Sequence, residues 1–162
     1  MKILILGHAR HGKDTVADIL CEKFSLRSTA SSMAAARIFL LDILREKYGF
    51  KYTCVNQAFK DRINHRDIWY NEISEYNKDN KSRLAKKIME TNDIYTGLRS
   101  AEEVEQCIKE GIFDLILGVY DYRKPHEPLT SNTANVFKYS DFVITNNGTL
   151  DELNEKVLNS FH

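Results

Sequence analysis

Nine residues near the start limit the possible folds more than any other feature of the chain. Gly7-His8-Ala9-Arg10-His11-Gly12-Lys13-Asp14-Thr15 matches G-x-x-x-x-G-K, with a threonine one position later than in the commonest form. The run Lys2–Leu6 before it is short and apolar and ends at a glycine, the pattern of a strand buried on both faces at the centre of a parallel sheet. From Lys13 to Phe24, the residues Val16, Ala17, Ile19, Leu20 and Phe24 recur at helical spacing, so the unit reads strand, glycine-bearing loop, helix. A loop in that setting binds phosphate. Its glycines let successive backbone N–H groups face an anion, Lys13 adds a point charge near the outer phosphates, and the helix N-terminus adds its dipole. Thr15 is the candidate hydroxyl on the magnesium side.

The rest of the chain repeats the alternation. Leu26–Ala30 reads as a second, weaker strand, and Ser31 and Ser32 as caps of a helix that runs to about Tyr48 and stops at Gly49. The stretch 50–90 is polar, aromatic and rich in Lys, Arg and Asn. Ile68, Trp69 and Ile73 mark one helix in it and Leu84, Ile88 and Met89 another, so it is expected to be a helical insertion. Asp93–Leu98 and Asp114–Tyr120 read as strands around a helix from Ala101 to Lys109. The loop 121–135 carries both prolines, Phe142–Thr145 is the last strand, and Leu150–Leu158 a closing amphipathic helix. The expectation is a single α/β domain over residues 1–162, a doubly wound, mostly parallel five-stranded sheet with helices on both faces.

Composition narrows the partners. Lys plus Arg at 23 cancels Asp plus Glu at 23, so no global positive field holds the chain on nucleic acid or an anionic membrane, and any polyanion contact is local. Cys21, Cys54 and Cys107 fit neither a disulfide framework nor a zinc site, which points to a reducing cytoplasm. There is no signal-peptide core and no apolar run long enough to span a bilayer, so no membrane association is expected. His8 and His11 lack the companions of a zinc site and are read as loop residues, at most neighbours of a phosphate.

The G-K-x-T spacing resembles that of the nucleoside monophosphate kinases, and the chain looks most like the small phage-type deoxynucleoside monophosphate kinases. The resemblance rests on GHARHGKDTVADIL at Gly7–Leu20, on the segment Ser28–Ser32 opening a long helix, and on IYTGLRSAEEVEQ at Ile94–Gln106. It implies that Gly7 to Thr15, including Ala9 and Arg10, hold the phosphates of ATP with Mg²⁺, that Ser31 and Ser32 face the acceptor, and that Arg99 pins a phosphate. From the residues alone, an Arg at the carboxyl end of a buried strand stands where ligands bind in open α/β sheets, and an ion pair with Glu102 or Glu103 explains it equally well. Arg62 and Arg66, four apart on one helical face and ahead of Trp69 and Tyr70, offer cations and aromatic faces to a nucleotide, or form a solvated basic face with Trp69 in the core. The resemblance puts Arg123 and Lys124 where such kinases carry a mobile lid, and Asn146, Asn147 and Gly148 where they contact the ATP base; an ordinary charged loop and a simple turn are the plain alternatives.

Phosphoryl transfer needs alignment and charge neutralisation more than covalent help, here from Lys13, Arg99, Arg123 and Mg²⁺, with Asp14 available to orient a metal-bound water or take a proton from a hydroxyl acceptor. The leading expectation is transfer from ATP to a (deoxy)nucleoside monophosphate. Two others stand beside it. One is a kinase for a hydroxymethylated base in phage DNA, using the basic stretch 78–87 with Lys81, Arg83 and Lys86. The other is a nucleotide-binding module without transfer, for which the sequence offers the lack of an obvious Asp at a strand end to partner magnesium. Pairing into a homodimer through the insertion stays open.

Overall fold

The computed structural model describes residues 1–98, 100–125 and 134–161. Five strands, β1 (Ile3–Leu6), β2 (Ser28–Ala30), β3 (Ile94–Thr96), β4 (Leu115–Tyr120) and β5 (Phe142–Thr145), form one sheet in the order β2-β3-β1-β4-β5. Every pairing is parallel, with Ile3 opposite both Ile94 and Leu115, and Leu117 opposite Phe142. Each return to a parallel neighbour needs a crossover, and right-handed crossovers lay helices on both faces.

The central strand shows how alternation builds the layers. Ile3 and Ile5 pack on α1 (Lys13–Phe24) and α9 (Leu150–Asn159) through Val16, Leu20, Leu153 and Val157. Leu4 and Leu6 point the other way, onto α2 (Ser31–Ala35), α6 (Arg83–Met89), α7 (Ala101–Lys109) and α8 (Val136–Tyr139). All four residues are buried, as a strand covered on both faces requires.

The expected helix from Ser31 is interrupted. After α2 the backbone widens into a π-helical turn, Ala36–Leu40, and then resumes as α3 (Leu41–Glu46). The stretch 50–90 holds more helix than its periodicity announced: α4 (Val55–Asp61), a 3₁₀ turn (Arg62–Asn64) and α5 (Arg66–Tyr76) precede α6. In α4 only Ala58 is buried, too little apolar signal to stand out. The stretch also divides. Leu84, Ala85, Ile88 and Met89 of α6 belong to the central core, whereas α4 and α5 close a separate cluster over Leu40 and Leu44. Helix α8 begins directly after the expected loop 121–135; it is one turn long and is started by Asn135, the last residue of that loop, whose Oδ1 accepts from the N–H groups of Phe137 (3.0 Å) and Lys138 (3.2 Å). Among the described residues no helix is long and apolar enough to cross a membrane.

Candidate functional site

The loop Gly7–Gly12 leaves the carboxyl end of β1 and turns directly into α1, whose first residue is Lys13. Its backbone visits the left-handed region twice, at Arg10 (φ 67°) and Gly12 (φ 102°). Gly12 has no room for a side chain: a Cβ there would stand 2.5 Å from Asn146 Nδ2. Reversals of hand of this kind turn successive N–H groups toward one point and form an anion-binding concavity, and the N-terminus of the twelve-residue α1 opens beside it. The chain therefore fits a phosphate group at Gly7–Thr15, with Lys13 and Thr15 half-buried in the first turn of α1.

Beside the loop is a cleft of about 430 Å³ over the carboxyl ends of β2 and β3. Lys13 and Asp14 belong to its wall as well as to the phosphate loop. Ser31 and Ser32 come from the start of α2, Arg62 from the 3₁₀ turn, Ser74 from α5, Asn77 from just after α5, and Glu103 from the first turn of α7. Ser31 does not cap its helix; its hydroxyl faces the phenol of Tyr95, which burial pushes well above its ordinary pKa. Asn77 is 3% exposed, accepts from the Leu84 N–H at 3.0 Å and lies beside Glu103 in the cleft wall. Burial raises the Glu103 pKa, and Asn77 and Lys81 oppose that rise.

The structure sorts the basic and aromatic candidates. Arg62 lines the cleft, held by an Nη1–H bond to the Phe59 carbonyl (2.8 Å) and by the face of the Phe59 ring 3.7 Å away. Arg66 does not share its face. His65 breaks the helical geometry between them (φ −137°, ψ 36°), and Arg66 opens a new helix with its side chain in solvent. Trp69 is 5% exposed and packs with Ala36, Leu40, Leu44 and Ala58, so the expectation that it binds substrate is corrected: it is core. Tyr70, its neighbour in sequence, reaches the cleft instead, as Tyr95 does from β3. Arg99 and residues 126–133 of the expected lid lie outside the described residues.

Arg123 is engaged by a residue that sequence reading passed over. Asp121 follows β4 directly, its side chain 1% exposed, and takes Arg123 Nε and Nη2 on its two oxygens at 3.0 Å each, with the Arg123 N–H at 2.9 Å. A lone buried carboxylate would be costly, so this bidentate pair holds Arg123 to the strand end instead of leaving it free to travel with a lid. The available signal was an Asp at the end of the apolar run LILGVY. Asn146 is likewise turned inward: its Nδ2–H donates to the His11 carbonyl (3.0 Å) and its N–H to the Tyr120 carbonyl (2.7 Å), which places the carboxamide behind the phosphate loop. His11 is fully buried and His8 nearly so, and no cluster of three or more metal-ligating side chains exists among the described residues.

The Arg123 guanidinium holds the Asp121 carboxyl at about 2, below its ordinary 3.8. A pKa lowered by folding adds stability above the unfolded value, and that stability is lost as the pH falls through about 4 toward about 2. Glu110, held at about 2 by Lys86, Ser82 and Asn80, acts in the same window. Urea midpoints taken between about pH 5 and about pH 2 are expected to fall less in Asp121→Asn than in the wild type, because the variant has no proton to take up there. Parallel curves would show that this pair does not shape the acid limb.

No family model and no curated protein matches the chain. Among solved structures, shikimate kinase from Aquifex aeolicus is 14% identical over 99% of this chain and 95% of its own, with a TM-score of 0.52. A sugar kinase from Janibacter sp. HTCC2649, in an unliganded structure, is 14% identical over 98% of this chain and 92% of its own, with a TM-score of 0.48. At this identity the likeness to shikimate kinase is one of fold, and the chain has a shikimate kinase-like P-loop α/β fold around an all-parallel five-stranded sheet.

Proposed function

We propose that the protein is a kinase that transfers the terminal phosphoryl group of ATP to a small acceptor held in the cleft, and that the acceptor is a (deoxy)nucleoside monophosphate. One observation carries this reading: Lys13 and Asp14 belong both to the phosphate loop and to the wall of the cleft, so a donor phosphate and an acceptor bound there meet at the same two residues. Magnesium, when bound near Thr15, would supply positive charge to the donor phosphates.

Chemistry follows from that junction. An acceptor oxygen attacks the terminal phosphorus, the bond to the bridging oxygen breaks, and ADP leaves with the electron pair. Lys13 neutralises charge that grows on the transferring group and the leaving oxygen. A monophosphate brings an oxygen already ionised at neutral pH, so no base is needed. A hydroxyl acceptor would lose a proton, and Asp14 is the carboxylate at hand. The cleft volume suits a nucleotide-sized molecule. The basic stretch 78–87 gives less support to a DNA acceptor than its sequence suggests: Lys78, Lys81, Lys86 and Lys87 are each paired with a carboxylate, and Arg83 lies over the Tyr76 ring.

The test is ATP consumption with magnesium across ribo- and deoxynucleoside monophosphates, with a hydroxymethylated duplex alongside. Turnover with one or a few monophosphates is expected. Turnover with the duplex alone would replace the acceptor, and silence in every well would overturn the nucleotide acceptor, leaving a nucleotide-binding module or another small-molecule substrate.

A further inference from the structure

Arg10 is the strained residue of the phosphate loop. Its φ of 67° is one that L-residues other than glycine rarely adopt, and such a conformation persists where the surroundings over-determine it. The next residue supplies that constraint. The His11 ring is 0% exposed and lies 5.1 Å from the Tyr120 ring and 5.0 Å from that of His8, centre to centre. Its Nδ1 accepts from the Asp121 N–H at 3.1 Å, and its Nε2–H donates to the Pro125 carbonyl at 3.0 Å. A carbonyl only accepts, so the ring is the Nε2–H tautomer with both nitrogens satisfied. The His11 carbonyl accepts from Asn146. A residue standing between two left-handed positions, Arg10 and Gly12, is thus bonded to the ends of both β4 and β5.

We infer that His11 is a positioning residue of the phosphate loop: by tying the loop to the ends of β4 and β5, it holds Arg10 and Gly12 in the left-handed turns that aim the loop N–H groups at a bound polyphosphate. The same Asp121 whose backbone N–H donates to His11 holds Arg123 on its carboxylate, so the loop and that cation share one anchor. The effect on nucleotide binding rests on the kinase reading; the effect on the backbone does not.

His11→Ala, Arg10→Gly and the double variant test it, with Leu117→Ala as a control that opens the core beneath β4 without touching the loop. Each is followed by its thermal midpoint and by its dissociation constant for ADP with magnesium. His11→Ala is expected to weaken ADP binding by about 10-fold or more, since misplaced loop donors lose their aim. Arg10→Gly in that background recovers part of the loss, because glycine takes positive φ without strain. Leu117→Ala lowers the midpoint and leaves ADP affinity unchanged. Wild-type affinity in His11→Ala, or a loss that Arg10→Gly does not reduce, overturns the inference. A wild-type protein that binds no ADP overturns the kinase reading instead. The midpoints then decide on His11: Arg10→Gly must raise the wild-type midpoint more than that of His11→Ala, where the unanchored Arg10 has already relaxed. Equal changes overturn it.

Discussion

Lys13→Ala is expected to lower phosphoryl transfer by about 10³-fold and to leave the fold intact. Lys13 is the first residue of α1, at the positive end of the helix dipole, where a cation works against local stability and alanine is the better helix former. In the proposed reaction that cation answers to the donor phosphates. Its position in both the loop and the cleft wall means that one substitution removes charge from the donor and acceptor sides together. Steady-state rates at saturating ATP, set beside far-ultraviolet circular dichroism, separate this from unfolding. A Lys13→Ala rate within about 10-fold of the wild type would remove Lys13 from the reaction, since the loss of one transition-state donor typically costs more than that.

Gly97→Ala attacks the opposite wall. Gly97 follows β3 with φ 106°, and a Cβ there would stand 2.5 Å from Ser31 Oγ and 3.3 Å from Ser31 Cβ. The positive φ alone costs about 1–2 kcal/mol for an L-residue. The collision then falls on a hydroxyl that faces Tyr95, a side chain 2% exposed, so Ser31 cannot give way without disturbing the start of α2. Both effects displace the cleft edge and spare the Gly7–Gly12 loop. The expected result is a fall of about 10²-fold in kcat/KM for the acceptor, with KM for ATP unchanged and a lowered Tm. Ser31→Ala in the same chain takes away the nearest clash and is expected to restore part of the rate. Unaltered acceptor kinetics in Gly97→Ala would mean that this wall does not hold the acceptor.

What could be read without a structure is local. The phosphate loop, α1 at Lys13–Phe24, α7 at Ala101–Lys109 and β5 at Phe142–Thr145 stand where their spacing, caps and glycines put them, because such signals act within a few residues of one another. The parallel sheet follows from the alternation of those elements. Side-chain destinations did not follow. Arg62 and Arg66 differ in fate because one non-helical residue, His65, intervenes, and periodicity does not register a single break. Trp69 is core because α5 packs on a π-helical turn about thirty residues earlier in the chain, a contact that hydrophobic spacing within one helix does not encode. Asp121 and Asn146 are separated by more than a hundred residues of chain from His11, the loop residue they bind, and only the pairing of β4 with β1 and of β5 with β4 brings them together. Sequence alone determined that this chain carries a glycine-bearing loop between strand and helix on a parallel α/β sheet, since those instructions are short-range. The tertiary structure decided which side chains hold that loop in shape and which face the cleft, because both depend on contacts between distant strand ends.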